Sequence, residues 1–109
     1  MATEIAAGRP QRQPTHPGKV LREIVVPELE KRGISISAFA DHLGVSRNTV
    51  HAVLREARPV TPDVAARLER SLGSSAAMWL GMQAAHDAWA ASRRPEVKAI
   101  KRLSVAVSL

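Results

Sequence analysis

The residues with the clearest chemical potential lie in one short stretch, residues 44–55, which reads GVSRNTVHAVLR. Ser46 is a good N-cap for a helix over residues 47–55. The apolar side chains that this helix would turn inward are Val50, Val53 and Leu54. The side chains that it would turn outward are Arg47, Asn48, His51, Ala52 and Arg55. Arginine binds guanine, and asparagine binds adenine, through two hydrogen bonds each, so this face has the chemistry needed to read base edges in DNA.

Phosphate-binding groups surround the start of the same helix. The hydroxyls of Ser46 and Thr49, together with the helix N-terminus, suit a phosphate oxygen, and Arg58 in the following loop adds a cation. The alternative is that these residues form only the solvated face of an amphipathic helix, which is the usual reason for outward polar residues.

The preceding residues favour DNA reading over that alternative, because they complete a helix-turn-helix. In the window 36–55, apolar residues occupy the fourth, eighth, tenth, fifteenth and eighteenth places: Phe39, Leu43, Val45, Val50 and Val53. Small residues, Ala40 and Gly44, occupy the fifth and ninth. Two steeply crossing helices need a small residue where they touch, a glycine where the chain turns, and an apolar wedge that fixes the angle.

Composition agrees with a small helical DNA-binding protein. The 109 residues allow one domain, and the abundance of Ala, Leu and Val predicts an all-α fold. Sixteen Lys and Arg against ten Asp and Glu give a formal charge of +6, which attracts polyanions. The absence of cysteine excludes disulfides, thiolate metal sites and a cysteine nucleophile, and fits a reducing cytoplasm, where we expect the protein to act.

Other classes of function lack their signatures. No apolar run approaches the roughly 20 residues of a membrane span, and the N-terminus does not resemble a signal peptide. The histidines have no metal-ligand spacing: they are His16, His42, His51 and His86. His86 and Asp87 are adjacent but have no nucleophile in context. We therefore expect no metal, cofactor or small-molecule ligand, and no enzymatic activity.

The chain divides into three parts. We expect residues 1–15 to form a flexible extension and residues 16–91 to form a helical domain that carries the helix-turn-helix and the dimer contacts. We expect residues 92–109 to form a basic, partly strand-like tail. Within the domain, a helix from Pro17 should be interrupted at Pro27 and a short turn should end at Gly33. Three further helices should follow Gly33, with N-caps at Ser35 or Ser37, at Ser46 and at Thr61. A last, long helix should begin at Ser74 or Ser75.

The tail combines cations with alternating apolar residues. Its cations are Arg93, Arg94, Lys98, Lys101 and Arg102, and its alternating residues are Leu103, Val105, Val107 and Leu109. The cations either contact DNA phosphate or form a solvated segment, and the alternating end either joins a partner's sheet or folds back on its own dimer.

Several of these motifs together resemble the HigA-type antitoxins of bacterial toxin–antitoxin modules, within the Xre/Cro repressor superfamily. The resemblance covers residues 16–89. Its specific parts are HPG with LRE, LGVSRNTV, the segment RPVTPDVAARL, and the final MWLGMQAAHDAW. It implies a five-helix, lambda-repressor-like domain with a short extended C-terminal tail.

The resemblance also implies a function. Such a protein would bind a palindromic operator as a homodimer, repress its own operon, and neutralise a RelE-like (HigB-type) mRNA-cleaving toxin by direct contact. The implied DNA-binding residues are Ser46, Arg47, Asn48, Thr49, His51 and Arg55, to which we add Arg58. The implied dimer contacts lie on the last helix: Met78, Trp79, Met82 and Trp89. Two alternatives stay open, a free-standing repressor without a toxin and a module that binds RNA or an acidic protein.

Overall fold

The computed structural model describes residues 11–106, and over this range every regular element is a helix. A continuous rod comes first, made of α1 (Pro17–Val20), a π-helical turn (Leu21–Val25) and α2 (Val26–Lys31). The remaining helices are α3 (Ile36–Leu43), α4 (Arg47–Leu54), α5 (Pro62–Leu72), α6 (Ala76–Ser92) and α7 (Pro95–Lys98). The all-α, five-helix prediction is confirmed, with α7 as a short addition.

The predicted interruption at Pro27 is wrong, because the first helix runs through it. The Val26 N–H donates to Leu21 O, five residues back, and this wider turn ends just before the proline. Pro27 then lies in the first turn of α2, where its missing N–H has the least effect. A π-helical turn therefore takes the place of the expected break.

The helix boundaries follow the capping residues of the sequence. Ser35, Ser46, Thr61 and Ser75 each precede a helix and accept a hydrogen bond from the backbone N–H three residues later. This decides the two choices left open by the sequence in favour of Ser35 and Ser75. Gly33, Gly44 and Gly73 follow the ends of their helices with positive φ, a conformation that glycine adopts readily.

One core joins the rod to the helix-turn-helix and to α5 and α6. Helix α3 packs on α4 and α5, α1 packs on α4 and α6, and α5 packs on α6. Phe39, Leu68 and Trp79 are at most 3% exposed. The rest of the core is largely aliphatic: Leu21, Val26, Ala40, Leu43, Val50, Val53, Leu54, Val60 and Ala65. Burying these side chains in one cluster fixes α3 and α4 against the rest of the domain.

The HPG segment brings α1 directly onto the backbone of α4. A Cβ at Gly18 would lie 1.9 Å from the carbonyl oxygen of Val53, so only glycine fits there. His16 caps α1, since its Nδ1 accepts a hydrogen bond from the Gly18 N–H at 2.9 Å. The segment therefore starts the first helix and lets it approach α4 closely.

The tail is not strand-like where the structure describes it. Residues 95–98 form α7 and residues 101–106 have no regular secondary structure, with Leu103 and Val105 exposed. Residues 11–106 contain no strand with which the alternating segment could pair, and an unpaired strand is not stable alone. Val107 and Leu109 lie outside the described residues. None of the helices within residues 11–106 is long and apolar enough to cross a membrane.

Candidate nucleic-acid interface

Helix α4 is the second helix of the helix-turn-helix, and its start is fixed by local contacts. Gly44 adopts φ +75°, and only Val45 and Ser46 separate it from Arg47, the first residue of α4. Ser46 Oγ accepts a hydrogen bond from the Thr49 N–H at 3.0 Å and lies 2.8 Å from Thr49 Oγ1. The turn is therefore tight, and the first turn of α4 is well ordered.

The outward face of α4 carries most of the side chains predicted to read DNA. Arg47, Asn48 and Arg55 are exposed, and His51 is half-buried. Arg47 Nε donates to His51 Nε2 at 3.4 Å, which aligns these two side chains one helical turn apart. Within residues 11–106, no carboxylate lies within ion-pairing distance of Arg47 or Arg55. Among the described residues, this face therefore presents the guanidinium groups of Arg47 and Arg55 without carboxylate partners, together with the amide group of Asn48.

Ala52 was predicted to face outward, and the structure corrects this. Its side chain is buried, with 8% exposure. The chain after α4 turns back at this point, because the N–H groups of Ala57 and Arg58 both donate to Ala52 O, at 2.9 and 3.2 Å. The helical pattern places Ala52 on the same face as Asn48, but it gives no information about the loop that returns over Ala52.

The same returning loop brings Arg58 to the start of α4. Its Nη1 donates to Thr49 Oγ1 at 3.2 Å, and Thr49 Oγ1 is also close to Ser46 Oγ. The three residues predicted to bind phosphate therefore meet at one helix N-terminus. Two hydroxyls, a cation and the positive end of the helix dipole together suit an anionic oxygen.

Two arginines that the sequence analysis did not single out bind the carbonyl groups at the C-terminal ends of α3 and α4. Arg22 Nη1 donates to Leu54 O at 2.6 Å, at the end of α4. Arg67 Nη1 donates to Leu43 O at 2.8 Å, at the end of α3. Both arginines lie inside motifs that carry the family resemblance: Arg22 in LRE and Arg67 in RPVTPDVAARL. Their place in these motifs was the one signal in the sequence that could have drawn attention to them. Their partners are backbone carbonyls, which carry no pattern in the sequence.

Arg22 also stabilises an unusual backbone conformation after α4. Glu56 has φ +63°, the left-handed region that residues with a Cβ seldom adopt. Its carboxylate lies 3.2 Å from Arg22 Nη1, while Arg22 Nη2 lies 3.2 Å from Glu23. The ion pair between Arg22 and Glu56 therefore lies at the turn where the chain leaves α4 and begins to return over Ala52.

Comparison with known proteins places this geometry in a family. A helix-turn-helix family model (HTH_3) matches residues 28–79, from α2 to the start of α6. The antitoxin HigA-1 of Vibrio cholerae is 35% identical over 99 residues, which are 89% of this chain and 90% of the relative. Virulence-associated protein I of Dichelobacter nodosus is 41% identical over 83 residues, 76% of this chain and 74% of the relative.

The chain belongs to the HigA family of helix-turn-helix antitoxins.

A solved structure in this family, the antitoxin GraA in complex with its operator, superposes with a TM-score of 0.73 at 35% identity. The superposition covers 86% of this chain and 95% of that one. The HigA likeness therefore extends well beyond the helix-turn-helix, and includes the rod of α1 and α2 and the long helix α6.

The dimer contacts implied by the HigA resemblance occupy different environments on α6. Met78 is 43% exposed, and Met82 and Trp89 are half-buried. The guanidinium of Arg93 lies 4.5 Å from the centre of the Trp89 ring, a cation–π contact. Trp79 is 1% exposed in the core of the single chain, which corrects the dimer contact that the resemblance implied for it.

A further contact of this HigA-family chain joins the N-terminal segment to α6. His86 Nδ1 lies 2.8 Å from Pro14 O, and Gln13 Nε2 lies 3.1 Å from His86 Nε2 and donates to His86 O at 3.2 Å. The rings of His16 and His86 meet edge to face, with centroids 4.9 Å apart. Gln13 and Pro14 are thus held against α6, although they fall in the segment predicted to be flexible; residues 1–10 lie outside the described part.

Burial lowers the pKa of His16, and the neighbouring His86 lowers it further. Glu56 and Asp87 act in the opposite direction, and Arg22 lowers the pKa slightly more. The hydrogen bond that Nδ1 accepts from Gly18 also requires this nitrogen to be unprotonated. His16 therefore acts as a neutral helix cap.

Proposed function

We propose that this protein is a DNA-binding antitoxin repressor that reads operator DNA with α4. The observation that carries the proposal is the exposed face of α4, where Arg47, Asn48, His51 and Arg55 lie together. Independent support comes from the solved structure of the antitoxin GraA, which has the same fold and is bound to its operator.

Base reading and phosphate binding fall to different residues of this surface. Arg47 and Asn48 lie in the first turn of α4, the part of a recognition helix that reaches base edges. Arg47 suits guanine and Asn48 suits adenine. Ser46, Thr49 and Arg58 suit phosphate, and their contacts set the position of α4 on the duplex without reading its sequence. His51 and Arg55 extend the reading face along the groove.

We further infer that the protein binds as a homodimer through α6. Met78, Met82 and Trp89 supply apolar surface on that helix. Two-fold related helix-turn-helix units read two half-sites about 34 Å apart, one turn of DNA, so the operator would be palindromic. A self-complementary apolar contact is the commonest way to build such a dimer.

The antitoxin role requires a second activity, the neutralisation of a RelE-like (HigB-type) toxin by direct contact. Membership of the HigA family supports it, since relatives over most of the chain are named antitoxins. We assign no toxin-contacting residues. The protein would then join two tasks, repression of its own operon and protection of the cell from the toxin.

The first test is a footprint on the DNA immediately upstream of the protein's own gene. We expect protection of two symmetric half-sites about one DNA turn apart, at lower protein concentration than on a scrambled duplex. Protection of a single asymmetric half-site would contradict the dimer. Equal binding to both duplexes, or to single-stranded RNA, would favour the alternative of a general polyanion-binding module.

The second test addresses the toxin. The product of any small open reading frame that adjoins this gene is expressed alone and together with this protein, and growth is measured. We expect arrest by the neighbour alone and recovery on co-expression, with both chains recovered as one complex. Operator binding without any growth rescue would favour a free-standing repressor.

A further inference from the structure

We propose that Arg67 is a positioning residue for DNA reading, which sets the angle between α3 and α4 and does not itself contact DNA. This inference rests on the proposed function, because it assigns a role within the same DNA-binding surface. Arg67 lies on α5, outside the helix-turn-helix.

The first step is the set of bonds that Arg67 makes. Its Nε donates to Asp63 Oδ2 at 2.9 Å, one helical turn earlier on α5. Its Nη1 donates to Leu43 O at 2.8 Å and lies 3.4 Å from Gly44 O. Asp63 thus holds one side of the guanidinium while the other side reaches the turn. The planar fork of arginine suits this double task, whereas a lysine offers a single point charge.

The second step concerns the carbonyls that Arg67 binds. The last four C=O groups of a helix have no partner within the helix. Ala40 O and Asp41 O accept from the N–H of Gly44, and Ala40 O also accepts from Val45. Leu43 O, the final carbonyl of α3, is bound by Arg67 instead. A cation at this end of the helix is also favoured by the helix dipole.

The third step concerns Gly44, which serves two purposes. Its φ of +75° needs glycine for the turn itself. In addition, a Cβ at this position would lie 2.8 Å from Arg67 Nη1. The absence of a side chain at Gly44 therefore leaves the space through which Arg67 reaches the turn.

The consequence for DNA reading follows from how short the turn is. Only Val45 and Ser46 lie between Gly44 and Arg47. A rotation of the backbone at Gly44 would therefore move Arg47 and Asn48 relative to α3 and the core. Two-hydrogen-bond contacts to a base tolerate little displacement, so the loss of this anchor should reduce discrimination between sequences.

The experiment compares Arg67→Met, which keeps the aliphatic stem without donors, with Arg70→Met. Arg70 is an exposed cation on the same helix, and its side chain makes no hydrogen bond within the described residues. Dissociation constants for the operator duplex and a scrambled duplex are measured over a range of salt, well below each variant's Tm. We expect Arg67→Met to lower the ratio of specific to non-specific affinity by about 5- to 10-fold, with an unchanged salt slope.

Other outcomes overturn the proposal. An equal loss on both duplexes, with a salt slope reduced by about one, would mean that Arg67 binds phosphate. An unchanged ratio would mean that Arg67 only supports the fold. Arg67→Lys should recover part of the ratio, since it restores a cationic donor. If Arg67→Met does not fold, Asp63→Asn replaces it and should lower the ratio less but in the same direction.

A DNA-free measurement separates this proposal from the proposed function. Amide hydrogen exchange at Gly44 and Val45, whose N–H groups both donate to Ala40 O, should be faster in Arg67→Met than in the wild type and in Arg70→Met. If the wild type does not prefer its operator, the proposed function fails, yet faster exchange still shows that Arg67 anchors the turn. Unchanged exchange at these amides would show that Arg67 does not anchor the turn, whatever the DNA measurements give.

Discussion

Gln83 on α6 accepts a hydrogen bond from the Val60 N–H at 2.8 Å, and both residues are buried. The amide nitrogen of Gln83 donates in turn to Asp87 Oδ1 at 2.9 Å. Val60 lies in the loop that returns from α4, and the bond therefore ties the end of the helix-turn-helix to α6. It satisfies a backbone group that would otherwise be buried without a partner.

Replacing Gln83 by Leu should destabilise the protein by about 1–3 kcal/mol, because the buried Val60 N–H loses its acceptor. Urea denaturation followed by circular dichroism measures this. Asp87→Asn is the control, and should change stability by less than about 1 kcal/mol, because the Asn oxygen can still accept from Gln83 Nε2 and only an exposed charge is lost. If Gln83→Leu were as stable as the wild type, the loop would not depend on this bond.

The two glycines Gly18 and Gly81 should respond in opposite directions to replacement by Ala. A Cβ at Gly18 meets the Val53 carbonyl at 1.9 Å, so α1 must move away from α4, at a cost of about 1–3 kcal/mol or more. A Cβ at Gly81, inside α6, has nothing within 4 Å and should stabilise the helix by about 0.5–1 kcal/mol. Melting temperatures of both variants check this. A stable Gly18→Ala would show that α1 does not need its close approach to α4.

Stability should fall in mild acid because of His16. Its pKa is lowered in the folded state, so the unfolded chain binds the proton more readily. The contribution is complete above the unfolded pKa of about 6.5 and is lost as the pH falls from there through the lower folded pKa. One such proton gives a slope of at most about 1.4 kcal/mol per pH unit. Urea midpoints between pH 8 and pH 5 measure it.

The matched variant is His16→Asn, which offers a capping oxygen but does not titrate. It should show a smaller pH slope than the wild type, whereas His42→Asn, at an exposed position, should keep the wild-type slope. Parallel curves for the wild type and His16→Asn would mean that another group causes the acid sensitivity.

Substitutions on α4 should separate base contacts from phosphate contacts. Arg47→Ala or Asn48→Ala should cost about 1–3 kcal/mol on the operator and relax the preference for one base pair. Arg58→Ala should weaken binding to all duplexes alike and reduce the salt slope by about one. Titrations on operator and mutated operators distinguish these patterns. A uniform loss for Asn48→Ala would assign it to phosphate.

Local chemistry made much of the fold predictable. Ser46 and Thr61 begin their helices, Gly44 and Gly73 end theirs, and the spacing of Phe39 and its neighbours predicted the helix-turn-helix. Caps and left-handed glycines act within a few residues, and the periodicity of a helix is visible in the chain itself. For the same reason the positions of Arg47 and Asn48 on one face could be stated in advance.

The tertiary structure alone decided which residues meet across the chain. It buried Ala52, which the helical pattern had placed on the outward face of α4, and Trp79, which the family resemblance had implied as a dimer contact. It also brought Arg67 to a carbonyl 24 residues away and Arg22 to one 32 residues away. Backbone carbonyls are the same at every position, and burial depends on what packs opposite a helix. The sequence therefore determined the helices and the types of side chain on the outward face of α4, while packing determined how α4 is held.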